Sequence, residues 1–343
     1  MEKTQVERLM KEHRFPVSCS KPELIETHIS WVIVCDQIVF KIKKPLKYSF
    51  LDFSTLEKRK FYCDQEVLLN RRLVEDVYLG VVPVIMRNGD LEIVLKEKDE
   101  IIDFAVMMQR LPTKKRMDLM LLTGGVSLDH IEQLAERLVL FHKNAPVIYS
   151  ADHHSAHHDF NDLESEKEFL LTHLYKKYDQ IISNAIEKSD SFITSHQTTL
   201  KTRSDLGYIR DCHGDLHSRN IFLLDEPVIF DCIEFNDKIR QIDILSELAF
   251  FCMDLEAAGY PELSEYFMVC YTKRAETIHT EQERDLFIYY KAYRANVRAK
   301  VNALRMRDSA GQDFIKARDD CIKYLELMEA YLNDLPREVI RRN

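Results

Sequence analysis

Short β-branched and aromatic runs fill the first third of the chain, and stripes of helical spacing fill the rest. Trp31 to Val34, Ile38 to Ile42, Val81 to Met86, Leu91 to Leu95 and Phe104 to Met108 lie between turn signals and predict five strands. Arg87-Asn88-Gly89-Asp90 carries the Asn-Gly signal of a tight hairpin, which makes an antiparallel pair of the flanking runs. Between the second and third strands, Ser54-Thr55-Leu56-Glu57 reads as a capping box opening a helix that runs to about Leu73. From Ser127 the period changes. Leu128, Ile131, Leu134, Leu138 and Phe141 repeat at helical spacing, and similar stripes follow near 164–188, 240–257, 262–277, 280–307 and 312–333. A short strand pair near 221–231 interrupts them.

The junction Met107-Met108-Gln109-Arg110-Leu111-Pro112 has no Gly/Ser-rich linker, so the two regions read as packed lobes with a hinge. The expected division is 1–108, a hinge at 109–112, and 113–343. A chain of 343 residues, 45% apolar, has enough material for two such cores.

A net charge of -9 argues against a protein that coats nucleic acid or an anionic membrane, both of which call for a positive surface. No window of about 18 apolar residues suggests a membrane span. The eight cysteines show no CxxC spacing, and several sit in apolar runs, which reads as a reduced, cytoplasmic protein.

Candidate chemistry is concentrated in residues 213–231, HGDLHSRNIFLLDEPVIFD. The segment divides into a loop containing Asp215, a strand from Ile221 to Leu224, a turn, and a strand from Val228 to Phe230 that ends at Asp231. Pairing Leu224 with Val228 sets Ile221 opposite Asp231 and brings Asn220 to the same open end. An amide oxygen beside a carboxylate suits magnesium, which takes one or two protein oxygens together with waters and phosphates. Asp215 precedes Asn220 by five residues. That is the spacing of a kinase catalytic loop, in which the Asp takes the acceptor hydroxyl's proton while the Asn and a later Asp hold the metal. Asp and Asn also favour ordinary turns, but turn chemistry explains neither the spacing nor the pairing at the hairpin mouth.

Such chemistry also needs a strand lysine for the nucleotide phosphates and a helix glutamate to hold it. Alternation along the second strand puts Val39, Lys41 and Lys43 on one face. Val39 lies two residues before Lys41 and would cover an adenine ring, which favours Lys41 over Lys43 without excluding the latter. Glu66 falls in an apolar helical stripe with Tyr62, Leu69 and Leu73, where a buried acid needs a partner. Neither GxGxxG nor GxxxxGK[ST] occurs, so phosphate contacts before the lysine strand would fall to backbone amides and the hydroxyls of Thr27 and Ser30.

His213-Gly214-Asp215-Leu216-His217-Ser218-Arg219-Asn220, followed by Ile229-Phe230-Asp231-Cys232-Ile233-Glu234-Phe235 and Ile242-Asp243-Ile244-Leu245, resembles the aminoglycoside phosphotransferase and choline kinase superfamily. Glu26 to Ser30, Lys41 to Pro45, Phe50 to Ser54 and Arg294 to Lys300 look more specifically like a bacterial branch of predicted aminoglycoside-phosphotransferase-like kinases. The resemblance implies an α+β, two-lobed protein-kinase-like fold: a small five-stranded antiparallel sheet with one helix, plus a larger, mainly helical lobe. It further implies adenine bound by backbone around Met108, Gln109 and Leu111, Asp215 as base, and Asn220 and Asp231 as magnesium ligands for ATP.

The acceptor is expected to be a small molecule. Lys291, Arg294, Arg298 and Arg305 share one face of a helix, which favours a neutral or anionic acceptor such as a sugar or sugar acid over a polycationic aminoglycoside, unless that face is simply solvated. Glu234, three residues after Asp231, is a further candidate on the acceptor or metal side. His153, His154, His157 and His158 include i, i+4 pairs that bind zinc when helical, but they follow a loop and read as solvated. Two other readings compete with a small-molecule kinase. One is a nucleotide-binding regulator without catalysis, favoured by the missing glycine-rich loop. The other is a kinase acting on protein, disfavoured because no Ala-Pro-Glu segment follows Asp231.

Overall fold

The computed structural model describes residues 1–48, 51–96, 100–149 and 160–336, and in it the N-terminal alternation becomes a sheet of six strands rather than the expected five. These are β1 (Glu23–Glu26), β2 (Ser30–Val34), β3 (Ile38–Lys43), β4 (Tyr78–Arg87), β5 (Asp90–Ile93) and β6 (Ile101–Gln109), in the order β1-β2-β3-β6-β4-β5 with every neighbouring pair antiparallel. The extra strand, β1, is a four-residue edge strand, Glu-Leu-Ile-Glu, whose side chains are mostly exposed. It therefore has no apolar alternation to read. The β4–β5 turn matches its Asn-Gly signal: Asn88 and Gly89 both take positive φ, 51° and 86°, and Arg87 pairs with Asp90.

The period-two pattern sorts the sheet's faces. Phe40 and Ile42 of β3 join Trp31, Ile33, Val84 and Ala105 in a core closed by Val6 and Leu9 of α1 (Lys3–Glu12). On the other face Val39, Val106 and Met108 pack with Cys63 and Val67 of α2 (Leu56–Asn70). The cap of α2 is Thr55, whose Oγ1 accepts from the Lys58 amide at 3.3 Å. Ser54, the expected cap, donates its hydroxyl to Asp52 instead. Cys19 and Cys35, read as free thiols, form a disulfide with Cα atoms 4.6 Å apart. Asp36 accepts from the hydroxyls of Ser18 and Ser20, drawing the two segments together at a sequence separation that no short cysteine motif would flag. The other six cysteines form no disulfide and are buried.

Two compact units divide the chain. The first comprises residues 1–124 and 219–239, so it runs past the expected boundary at 108 and includes the hairpin of β8 (Ile221–Leu223) and β9 (Pro227–Ile229). Val228 and Phe230 lie against the α2-side core, and Phe222 bridges to Arg116 just ahead of α3 (Met117–Leu122). The hairpin register differs from expectation by two residues. Ile221 pairs with Ile229 and Leu223 with Pro227, because the turn takes Leu224 as well as Asp225 and Glu226.

The second unit, residues 125–218 and 240–343, is mainly helical: α4 (Leu128–Asn144), α5 (Lys167–His173), α6 (Lys177–Ser195), α7 (Gln197–Asp205), α9 (Ile244–Ala257), α10 (Pro261–Arg274), α11 (Glu281–Asp308) and α12 (Gly311–Asp334). The short helix α8 (Asp237–Arg240) carries the chain from the first unit back to the second. A strand pair missed in the sequence, β7 (Ile209–Asp211) with β10 (Gln241–Asp243), precedes α9. Every residue of α9 from Ile244 to Leu255 is buried, as suits a helix apolar nearly all round. Its N-cap is Asp243, which accepts from the Leu245 amide at 2.8 Å and is gripped by fully buried Arg203 through Nε at 2.6 Å and Nη2 at 2.9 Å. Arg203 also reaches Glu283, the capping-box residue of α11. The histidine run from His153 to His158 lies outside the described residues. Among the described residues no helix is long and apolar enough to cross a membrane.

Arg203→Ala leaves Asp243 and Glu283 buried without their cation, and its expected cost is about 3–5 kcal/mol of folding stability, read from the urea midpoint. A loss below about 1 kcal/mol, the level of an exposed pair, would contradict this packing.

Candidate functional site

The α2-facing side of β3 brings both candidate lysines to one carboxylate. Lys41 Nζ lies 2.8 Å from Glu66 Oε1, and Lys43 Nζ lies 2.7 Å from Glu66 Oε2. The strand thus delivers two charges to the same place, and their second partners tell them apart. Lys41 reaches Asp231 Oδ1 at 2.6 Å, and the Asp231 side chain is 41% exposed. Lys43 is fully enclosed, pairs with Glu234 and sits 4.9 Å from the ring centre of Phe53. Glu234, expected on the acceptor or metal side, is therefore buried against Lys43 instead. The alternation of β3 puts Lys43 beneath it, and a buried acid without a cation would be costly. Burial acts on Glu66 against the charged form, but its two ammonium partners outweigh this and hold the carboxyl below its ordinary value. For Glu234 burial wins over the pull of Lys43, and its carboxyl is pushed up.

Asp231 is held from several sides. Its backbone adopts φ +64°, a conformation non-glycine residues rarely take and one that concentrates at functional sites. The Asp231 amide donates to the Tyr78 hydroxyl at 3.1 Å. The next amide, of Cys232, donates to Asn70 Oδ1 at 2.8 Å, while Asn70 Nδ2 donates to the Glu66 carbonyl at 2.8 Å, so the end of α2 ties the acid and the lysine partner together. Across the hairpin the Phe230 amide donates to the Asn220 carbonyl at 3.1 Å. Asn220 thus faces Phe230 and Asp231 comes one residue later, at the same open end. An amide oxygen and a carboxylate, here half-exposed on Asp231, are donor types that magnesium takes.

The remaining nucleotide candidates lie in the sheet. Thr27 Oγ1 accepts from the Ser30 amide at 2.9 Å and donates to the Ser30 carbonyl at 3.0 Å, so this hydroxyl closes the β1–β2 turn, and Ser30 is fully buried. Met108 is in the α2-side core with Leu111 packed on it. The Gln109 amide donates to the Val77 carbonyl and the Arg110 amide to the Gln37 carbonyl, both at 2.8 Å.

Asp215 belongs to the second unit. Its loop turns at Gly214, with φ +88°, where a side chain would be strained. Glu247, a single acid in the apolar run of α9, accepts from the amides of His213 and Gly214, each at 2.8 Å, and from His142 Nε2 at 3.0 Å. His142 Nδ1 meets the Tyr271 hydroxyl at 2.7 Å. Downstream, the Ser218 amide donates to Asp254 Oδ2 at 2.8 Å. Both ends of the loop are thus fixed to α9. The Asp215 amide donates to His213 Nδ1, and His217 Nε2 lies 3.3 Å from Asp215 Oδ2. Burial raises the Asp215 carboxyl, yet the charge and hydrogen bond of His217, with Arg298 and His213, hold it well below the usual carboxylate range, so it is ionised at neutral pH. Glu247, Asn70 and Tyr78 were not singled out in the sequence. Only Glu247 had a visible signal, as the lone charge between Ile244 and Phe251.

For Glu247 burial is outweighed by His142, His213 and the Gly214 amide, lowering its carboxyl from 4.5 to about 2. A depressed value means that its stabilisation is complete above pH 4.5 and is lost as pH falls through 2. A shift of this size corresponds to about 3 kcal/mol. Glu247→Gln should reduce stability at neutral pH and flatten the loss of urea midpoint between pH 4.5 and 2; an unchanged acid slope would rule out this role.

No family model matches the chain. Uncharacterized proteins of Mycobacterium tuberculosis (strain ATCC 25618 / H37Rv) and Mycobacterium bovis are each 31% identical to it over 313 residues, covering 90% of this chain, and the chain spans 59% of the length of these curated relatives. Among solved structures, the GDP and kanamycin complex of APH(2")-IIia is similar at 13% identity and a TM-score of 0.48, covering 96% of this chain and 97% of that one. A choline kinase from Cryptosporidium parvum Iowa II is similar at 11% identity and a TM-score of 0.48, covering 91% and 87%. A choline/ethanolamine kinase family protein from Mesorhizobium loti gives 12% identity and a TM-score of 0.47, covering 91% and 93%.

Proposed function

We propose that the chain is a magnesium-dependent phosphotransferase that moves the γ-phosphoryl group of ATP to a hydroxyl of a small molecule. The observation that carries this reading is Lys41 held between Glu66, at 2.8 Å, and Asp231, at 2.6 Å. A strand lysine braced by a helix acid and set beside a metal-binding Asp is the arrangement by which kinases receive nucleotide phosphates. The Asp215–Asn220 spacing and the open end of the β8–β9 hairpin support it independently.

Lys41 neutralises phosphate oxygens, and the backbone from Met108 to Leu111 receives the adenine. Magnesium, when bound, supplies charge neutralisation to the phosphates, and Asn220 and Asp231 are the residues that would hold it. Asp215 orients the acceptor hydroxyl and takes its proton. The acceptor oxygen bonds to the γ-phosphorus as the bond from that phosphorus to the β,γ-bridging oxygen breaks, and its electron pair leaves with ADP. The protein's contribution is mostly positioning and charge. The acceptor is neutral or anionic, such as a sugar or sugar acid; Arg294 and Arg298 on α11 disfavour a polycationic aminoglycoside. A cytoplasmic setting, where ATP is supplied, suits this reaction.

The test is incubation with γ-labelled ATP, magnesium and a pooled panel of sugars, sugar acids, amino alcohols and aminoglycosides. Asp215→Asn is expected to lower transfer by about 10²–10⁴-fold, the usual contribution of a positioned base, while the melting-temperature rise produced by Mg-ATP persists. Transfer that survives this substitution unchanged would refute Asp215 as the base, and the absence of any Mg-ATP protection would refute the nucleotide site.

A further inference from the structure

The two most enclosed arginines of α11 lack what the other deeply buried arginines of their unit, Arg203 and Arg240, possess. Arg203 is matched by two carboxylates and Arg240 by Asp211. Arg294 and Arg298, one helical turn apart, are 3% and 6% exposed, and neither forms an ion pair among the described residues. Arg294 Nη2 donates to Ser246 Oγ at 3.2 Å, and its guanidinium lies 4.9 Å from the ring centre of Phe250 and 5.3 Å from that of Tyr293. The Arg298 guanidinium lies 5.5 Å from the ring centre of Tyr324. The Nε of each is buried without a hydrogen-bond acceptor.

A guanidinium removed from water without a carboxylate is costly, and a methionine would fill the same space without that penalty. Aromatic faces recover only part of the lost hydration. Two such groups on one helix face therefore mark a place where negative charge is to be received, and the arginine fork suits carboxylate and phosphate alike. The location points the same way. Phe250, which carries Arg294 on its ring, also meets the His217 imidazole, with ring centres 5.7 Å apart. His217 Nε2 lies 3.3 Å from Asp215, and its Nδ1 is buried and unpartnered. Arg298 in turn feels the charges of Asp254 and Asp215. One contiguous cluster in the second unit thus holds the candidate base and three polar nitrogens with no protein partner.

We propose that Arg294 and Arg298 form an anion-binding subsite, so that the molecule whose hydroxyl faces Asp215 carries a carboxylate or phosphate group. The assignment of that molecule as phosphoryl acceptor rests on the kinase reading; the anion site itself does not. A cationic group in this subsite would meet two guanidinium groups that no ion pair matches, and a neutral one would leave them so.

The experiment uses the full chain with Mg-ADP at saturation, so that the nucleotide site is filled, in a phosphate-free buffer of low ionic strength. Melting temperature is followed on titration with gluconate, glucose 6-phosphate, glucose, glucosamine and kanamycin. Gluconate or glucose 6-phosphate should raise it, the stronger of the two identifying carboxylate or phosphate as the favoured group, while the three neutral or cationic probes leave it unchanged. Arg294→Gln and Arg298→Gln should each weaken the anion's apparent affinity about tenfold or more, without lowering the melting temperature of the anion-free protein. Protection by glucose or kanamycin equal to that by the anions, or no protection by either anion, would overturn the proposal. So would anion-free Gln variants that melt well below the wild type, since the arginines would then be structural. These failures are separable from failure of the kinase reading, which would appear as the loss of Mg-ADP protection itself.

Discussion

One buried glutamate organises the first unit. Glu66 takes an ammonium group on each oxygen, and the two lysines carry its influence in opposite directions: Lys43 inward to Glu234, Lys41 outward to the half-exposed Asp231. Enclosing any one of these charges alone would be prohibitive, so the set is stable only as a set. Its consequence is positional. Asp231 sits in a backbone conformation that its side chain disfavours, and it stays there because Lys41, the Tyr78 hydroxyl and, through Cys232, the Asn70 side chain fix its surroundings. The same chain that builds a core on one face of β3 thereby builds a charged site on the other.

The second unit uses a different device for the same end. α9 is apolar except where an acid is needed, and Glu247 and Asp254 fasten the loop on either side of Asp215 through its backbone amides. Within this unit Arg203 is matched by Asp243 and Glu283, whereas Arg294 and Arg298 form no ion pair among the described residues, and the Nε of each is buried without an acceptor.

Period-two and helical spacing were enough to read the faces of β3, the β4–β5 hairpin and most of the long helices, because those patterns follow from burying one side of each element. The Asp215–Asn220 spacing and the common face of Lys41 and Lys43 were legible for the same reason, being local. What escaped was set by distant partners. β1 shows no pattern because it is an exposed edge, the hairpin register depended on whether Leu224 joined the strand or the turn, and the Cys19–Cys35 link arose where Asp36 gathers two segments. Glu234 and the α11 arginines could be placed on a helix face or after a motif, but not assigned a partner, since burial is a property of the assembled unit. The choice between Lys41 and Lys43 was open for that reason too.

That choice is the most direct point of test. Lys41→Met and Lys43→Met, compared side by side by urea denaturation and by Mg-ATP protection against heat, should behave oppositely. Lys43→Met strands Glu234 and half of Glu66 in the interior and should cost about 3–5 kcal/mol of stability. Lys41→Met leaves Glu66 paired and frees a solvent-reaching Asp231, so it should keep most of the stability yet lose the protection by Mg-ATP. Equal destabilisation by the two, or Mg-ATP protection that survives Lys41→Met intact, would contradict the division of one buried charge cluster into a structural and a functional half.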